Sequence, residues 1–163
     1  GMAGLQKNGL VRVIKKYAEK GKPLLGICLG MQLLMSEGEE FGLHRGLDII
    51  KGKTRRLDES KGGEVYKIPQ IGWNRLVKPA SSSNSAWEGS VLEGLVEGVF
   101  MYFVHSNVVV PDENGCRLAE TNYADNPFCS VVRSGNVYGC QFHPEKSGEE
   151  GLKIYRRFVF GDN

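Results

Sequence analysis

Lys22–Glu40 reads KPLLGICLGMQLLMSEGEE. Pro23, Leu24, Leu25, Gly26 and Ile27 make a short apolar run of buried-strand length, and Leu29–Met35 continues without a spacer as an apolar-rich segment of helical character. The turn between them holds Cys28. Gly26-Ile27-Cys28-Leu29-Gly30 has the form of a G-x-S-x-G nucleophile elbow with sulfur in place of oxygen. A sharp strand-to-helix turn crowds its neighbours, so glycine is expected on each side. Cys28 then stands at a helix start, where unpaired N–H groups and the positive end of the dipole favour thiolate. The competing reading is a buried, inert thiol on a tight turn, the commoner fate of a free cysteine.

A second stretch favours the chemical reading. Gln141-Phe142-His143-Pro144-Glu145-Lys146 comes directly after the alternating, strand-like run Val137–Phe142. A thiolate nucleophile needs a base that takes and returns its proton, and the base needs a third group to hold its ring. Cys28, His143 and Glu145 supply those three residue types, two of them at strand ends, and are read as a catalytic triad.

At 163 residues the chain is of single-domain size and long enough for a real core. With 21 basic against 19 acidic residues and no basic run longer than a pair, nucleic acid is not indicated. No apolar stretch approaches the roughly 20 residues of a membrane span, and no secretory leader pattern is present, so a soluble cytoplasmic chain is expected. Cysteines 28, 116, 129 and 140 show no C-x-x-C spacing, and Cys140-x-x-His143 alone is too little to hold zinc. Cys116, Cys129 and Cys140 read as small apolar strand residues.

GICLGMQLL with QFHPEKS much later in the chain resembles the class I glutamine amidotransferase family, and the resemblance runs from about Gly9 to Phe158. It implies an α/β, flavodoxin-like fold with a mixed central sheet. Gly72-Trp73-Asn74 and Tyr102-Phe103-Val104-His105-Ser106 resemble the branch of that family that serves imidazole glycerol phosphate synthases as glutaminase subunit. The resemblance implies a glutaminase in which Cys28 attacks the side-chain amide of glutamine and His143 protonates the departing ammonia. Water then hydrolyses the thioester with His143 as base, while Glu145 orients the imidazole. Gln32, one helical turn after Cys28, is implied to reach the substrate. His105 and Ser106 are implied to border the glutamine pocket through their backbone, although the family commonly has Tyr where this chain has Asn107. The Leu29 N–H is implied to be one oxyanion donor. No metal or organic cofactor is implied.

The resemblance also places early strands and a glycine-rich turn, carrying the other oxyanion donor, ahead of the segment that begins at Leu5. The expectation is therefore a glutaminase domain over residues 2–163, N-terminally truncated, with Gly1 set aside as the residue left by a cleaved tag. Loss of one oxyanion donor costs on the order of 10²–10³ in rate, and an uncovered sheet edge invites homodimers or strand swapping. The implied partner is a (β/α)₈-barrel cyclase subunit that uses the ammonia to close an imidazole ring in histidine biosynthesis, as a heterodimer. Three alternatives stay open: the glutaminase of another synthase, a free-standing γ-glutamyl hydrolase, and an inactive truncated binding subunit.

The remaining chain supports the α/β reading. From Leu5, residues Leu10, Val11, Val13, Ile14 and Tyr17 fall on one face of an amphipathic helix that Gly21 stops. Glu37–Arg45 reads as a polar loop with a solvated His44, Leu47–Leu57 as a strand, and Asp58–Gly63 as a turn. Val65–Ile68 and Ile71–Val77 are short strands; Trp73 reads equally as a core aromatic or, by the resemblance, as part of the face toward the partner. Ala80–Ser90 is a serine-rich surface loop anchored by Trp87. Phe100–Val110, Cys116–Tyr123 and Phe128–Arg133 are strands. Ser147-x-x-Glu150 has the form of a capping box opening a last helix with Leu152, Tyr155, Phe158 and Val159 as its buried stripe.

Overall fold

The computed structural model describes residues 1–40, 42–61 and 64–161. Its first elements are α1 (Met2–Lys7), α2 (Leu10–Glu19), β1 (Leu24–Ile27), α3 (Leu29–Leu34), β2 (Met35–Gly38), β3 (His44–Arg45) and β4 (Ile50–Arg56). The short antiparallel pair β5 (Ser60–Lys61) and β6 (Glu64–Val65) precedes β7 (Gln70–Arg75), β8 (Phe100–His105) and β9 (Asn107–Pro111). Then come β10 (Arg117–Tyr123), β11 (Asn126–Ser134), β12 (Val137–Cys140) and α4 (Gly148–Phe160). Single 3₁₀ turns cover Asn114–Cys116 and Pro144–Lys146.

Eight strands form a mixed central sheet in the order β1-β12-β11-β9-β4-β2-β3, with β10 also on β11. β1 lies parallel to β12 and β2 parallel to β4, while the other pairings are antiparallel. Strands buried on both faces read as nearly continuous apolar runs. β11 and β12 do so, and their side chains divide between two clusters. Phe128, Val131, Tyr138 and Cys140 meet Ile154 of α4 and the loop residues Trp87, Val91, Leu92 and Leu95. Cys129, Val132 and Val137 meet Met31 and Leu34 of α3, with Leu5, Val11 and Ile14 packed over them. The result is the expected α/β architecture with helices on both faces of the sheet. Among the described residues no helix is long and apolar enough to cross a membrane.

Several local expectations change. The first helix is two helices, because Gly9 adopts a left-handed φ of 66°, a conformation that glycine tolerates and a helix interior does not. Leu10, Val13 and Tyr17 of the expected inward face are exposed. Met35 begins β2 instead of ending α3, and the expected polar loop supplies β2 and β3. The dense run Phe100–Val110 divides at Ser106, whose carbonyl accepts from Leu57 N, so that β8 pairs with β7 while β9 joins the central sheet. The stripe of α4 is Gly151 and Ile154, with Leu152 and Val159 exposed. Gly151 sets this rotation: a Cβ there would lie 2.1 Å from the Pro144 carbonyl oxygen, so α4 approaches through that face. The turn expected over Asp58–Gly63 ends in Gly62 and Gly63, which lie outside the described residues.

Candidate active site

Cys28 occupies the elbow between β1 and α3 with φ 48° and ψ −104°, a conformation in which a non-glycine residue is held only by its surroundings. Its N–H donates to Cys140 O at 2.7 Å, carrying the β1–β12 ladder one residue past the end of β1, and its carbonyl accepts from Gln32 N at 3.2 Å. Of the two flanking glycines only Gly26 is sterically required. A Cβ on Gly26 would come 2.7 Å from the Gly30 carbonyl carbon, whereas one on Gly30 would meet nothing within 4 Å. The helix backbone at Gly30 passes directly over Gly26.

The sulfur lies 3.8 Å from Val104 O, to which the thiol donates, and 3.7 Å from Gln141 Nε2, from which it accepts. Burial pushes the Cys28 thiol above its ordinary pKa; the Leu29 N–H opposes this, the Glu145 charge adds to it, and the Gln141 amide opposes it. The pull toward thiolate expected of the helix start is thus outweighed by burial. α3 has only six residues, and desolvation penalises the charged form.

His143 arrives from the other side of the same ladder, three residues beyond Cys140. Its N–H donates to Tyr102 O at 2.9 Å, and its Nδ1 lies 2.6 Å from Glu145 Oε1. The second carboxylate oxygen accepts from the Tyr155 hydroxyl at 3.2 Å. Partial burial works to raise the Glu145 pKa, but the His143 bond, with smaller help from Tyr155, holds the carboxyl below its ordinary range. Tyr155 itself is pushed up to about 12 by burial and by Glu145, so at neutral pH it remains a protonated donor. Among the described residues no hydrogen bond joins Cys28 to His143. The two are related through the β1–β12 pairing, Cys28 one residue past the end of β1 and His143 three past the end of β12, and the Glu145 charge bears on the sulfur.

Ser147 is the N-cap residue of α4, but its side chain makes no capping hydrogen bond. Its hydroxyl donates to His143 O at 2.7 Å and accepts from Tyr102 N at 2.9 Å, so the residue ties the histidine loop to β8. Gln32 is turned into the protein, its Nε2 donating to Asn107 O at 3.3 Å and Gln141 Oε1 at 3.2 Å. His105 is buried, with Nδ1 2.9 Å from Asn107 O and Nε2 3.1 Å from the Gln70 side-chain amide. Burial depresses its pKa to about 4, against the pull of Asn107 O and with a smaller push from His143. Ser106 sits in the bend between β8 and β9, half-buried, one residue beyond His105. A cleft of about 440 Å³ borders the elbow through Leu29 and Gln32 and is closed by residues of α1, β2 and β3, Glu37 and Arg45 among them.

Sequence reasoning gave no part in the site to Gln141, Ser147 or Tyr155. Gln141 stands two residues before His143, a spacing that keeps it near the site, but its contact with the sulfur depends on the bend after β12. Tyr155 read as core stripe because its partner is on a separate 3₁₀ turn. Among the described residues no group of three or more His, Cys, Asp or Glu side chains could hold a metal ion.

Comparison with known proteins agrees with this architecture. The family Glutamine amidotransferase class-I matches residues 4–161. The imidazole glycerol phosphate synthase subunit HisH 1 of Legionella pneumophila (strain Paris) is 44% identical over 160 residues, covering 98% of this chain and 74% of that one. The HisH subunit of Aquifex aeolicus (strain VF5) is 46% identical over 160 residues, covering 96% of this chain and 70% of its own length. A crystal structure of a glutamine amidotransferase superposes with a TM-score of 0.64 at 22% identity, over 95% of this chain and 69% of that one, which speaks for the fold. With a strained cysteine elbow after β1, a histidine–carboxylate pair after the adjacent β12 and a family match over nearly its whole length, the chain belongs to the class-I glutamine amidotransferases.

Proposed function

We propose that this chain is the glutaminase of an imidazole glycerol phosphate synthase, releasing ammonia from glutamine for a cyclase subunit of histidine biosynthesis. The observation that carries the reading is the pairing of β1 with β12, which sets a strained Cys28 beside a strand that leads three residues on to the His143–Glu145 pair. The family match supports glutamine as the substrate, and the names of the HisH relatives support the synthase.

In this reading the Cys28 sulfur attacks the glutamine side-chain carbonyl, and its proton passes to His143. The Leu29 N–H faces the oxyanion that forms. His143 gives the proton to the leaving ammonia, then activates the water that breaks the thioester. Glu145, anchored by Tyr155, keeps the imidazole aligned and stabilises its cation. The cleft beside Leu29 and Gln32 is the proposed entry for glutamine. A reducing, cytoplasmic setting suits a reaction that depends on a free thiol.

The proposed partner face lies next to this site. Trp73 on β7 is 54% exposed, which fits an interface aromatic better than a core one. It packs edge-on against Tyr102, ring centroids 5.9 Å apart, and Lys146 lies 6.0 Å above the Tyr102 ring. Tyr102 also holds His143 and Ser147 through its backbone, so a barrel docked on Trp73 would press on the strand that bears the histidine loop. A second association is supported by β1, which pairs only with β12 among the described residues; its other edge is open to a strand of a second copy.

The test is release of glutamate from glutamine by the purified chain, with and without a cyclase subunit. Turnover that depends on Cys28 and rises with the cyclase is the expected result. Turnover that survives Cys28→Ala, or that is confined to γ-glutamyl peptides, would contradict it. Light scattering of the chain alone reads the second association as a dimer.

A further inference from the structure

One directed chain of hydrogen bonds ends on the Cys28 sulfur. The carbonyl of Asn107 can only accept, so the Gln32 atom 3.3 Å from it is the amide nitrogen. The same nitrogen lies 3.2 Å from the Gln141 side chain and therefore meets Oε1 there. Gln141 is then left with its own amide nitrogen turned to Sγ, 3.7 Å away. The oxygen and nitrogen of a side-chain amide are otherwise interchangeable, and here a main-chain acceptor fixes both glutamines. Asn107 O also takes His105 Nδ1 at 2.9 Å, so its two lone pairs are used and Gln32 has no second arrangement to adopt against it.

Gln141 is fully buried, at 0% exposure. A buried amide whose donors face a thiol sulfur is an investment that an inert cysteine does not require. The neutral thiol donates to Val104 O. Once the proton has left, the sulfur can only accept, and the N–H groups aimed at it gain strength as charge-assisted hydrogen bonds. The groups that act on that charge are the Leu29 N–H and Gln141, which favour it, and the Glu145 carboxylate, which opposes it from the His143 loop.

We infer that Gln141 is a catalytic residue that stabilises the Cys28 thiolate by donating its side-chain N–H to the sulfur, and that Gln32 is a positioning residue that holds the Gln141 amide in the donating orientation. This rests on Cys28 being the nucleophile. The Gln32 amide nitrogen, engaged by Asn107 and Gln141, thereby serves the sulfur from behind.

The experiment is alkylation of Cys28 by iodoacetamide as a function of pH, with mass spectrometry of the peptide that contains it, without glutamine or partner. Gln141→Met keeps the volume and removes the donor; it is expected to raise the pH midpoint of alkylation by about one unit. Gln32→Leu is expected to raise it by less, in the same direction. An unchanged midpoint in a Gln141→Met variant that melts cooperatively overturns the inference. Should that variant not fold, the midpoint of Gln32→Leu decides alone, a rise supporting the inference and no rise overturning it. A shift in Gln141→Met with none in Gln32→Leu overturns the positioning role. Because alkylation needs no turnover, a chain that fails to hydrolyse glutamine even with a cyclase subunit yet shows these shifts would refute the proposed function and leave standing only that Gln141 stabilises the Cys28 thiolate.

Discussion

Cys28 and His143 come to the site from neighbouring strands, yet the two are held by different means. The cysteine arm is built into the interior: a strained elbow over Gly26, a helix packed on the sheet, and a net in which the half-buried Gln32 joins the buried Gln141, Asn107 and His105. The histidine arm is a short 3₁₀ turn on the surface, with Glu145 held by one imidazole and one tyrosine hydroxyl. Interior polar groups cost free energy when left unpaired, whereas exposed ones fall back on water. Defects in the first arm should therefore appear in stability as well as rate, and defects in the second in rate alone.

The largest expected effect breaks the histidine arm. His143→Ala should lower glutaminase turnover by on the order of 10³-fold or more and move the unfolding free energy by less than about 1 kcal/mol. A comparable loss of stability, measured by urea denaturation, would erase the contrast. Next comes the other histidine. The His105 pKa is depressed to about 4 in the folded chain, against about 6.5 when unfolded. Between those values the unfolded chain binds the extra proton and the folded chain does not, so stability is full above the unfolded value and falls as pH drops toward 4. The loss amounts to about 3 kcal/mol at most. Denaturation at pH 7 and pH 4.5 should show that slope, and His105→Gln should flatten it.

Gly26→Ala is expected to destabilise by about 1–3 kcal/mol, since its Cβ would meet the Gly30 backbone at 2.7 Å. Gly30→Ala should be tolerated or slightly stabilising, as it adds a better helix former in open space. Thermal melts of the pair separate them. The smallest effect is Tyr155→Phe, which keeps the ring and frees one Glu145 oxygen. A roughly two- to fivefold drop in turnover with unchanged stability is expected. A matching fall in melting temperature would move Tyr155 into the structural class.

The elements that fix the site were readable because they rest on local patterns. An apolar run, a glycine-flanked cysteine and a second apolar run gave β1, the elbow and α3; alternation gave β12 and the histidine behind it. What could not be read depends on contacts distant in sequence. Nothing in Phe100–Val110 announces that Ser106 divides it between two sheets, because the division is made by Leu57. Ser147 and Glu150 satisfy the local pattern of a capping box, but the hydroxyl finds better partners in His143 and Tyr102. The burial that outweighs the helix start at Cys28 is unreadable for a similar reason: it is a property of the packed sheet and not of the turn. Gly30 satisfied the motif while its neighbour Gly26 bore the steric demand.

That Cys28 is a nucleophile served by the His143 loop across the β1–β12 pairing is open to a single decisive experiment. An electrophilic glutamine analogue is allowed to label the folded chain, and mass spectrometry locates the modified peptide. The expected result is one adduct, on Cys28, suppressed by glutamine and slowed in His143→Ala. No adduct on Cys28 in the folded chain, or labelling that falls equally on Cys116 and ignores glutamine, would contradict it.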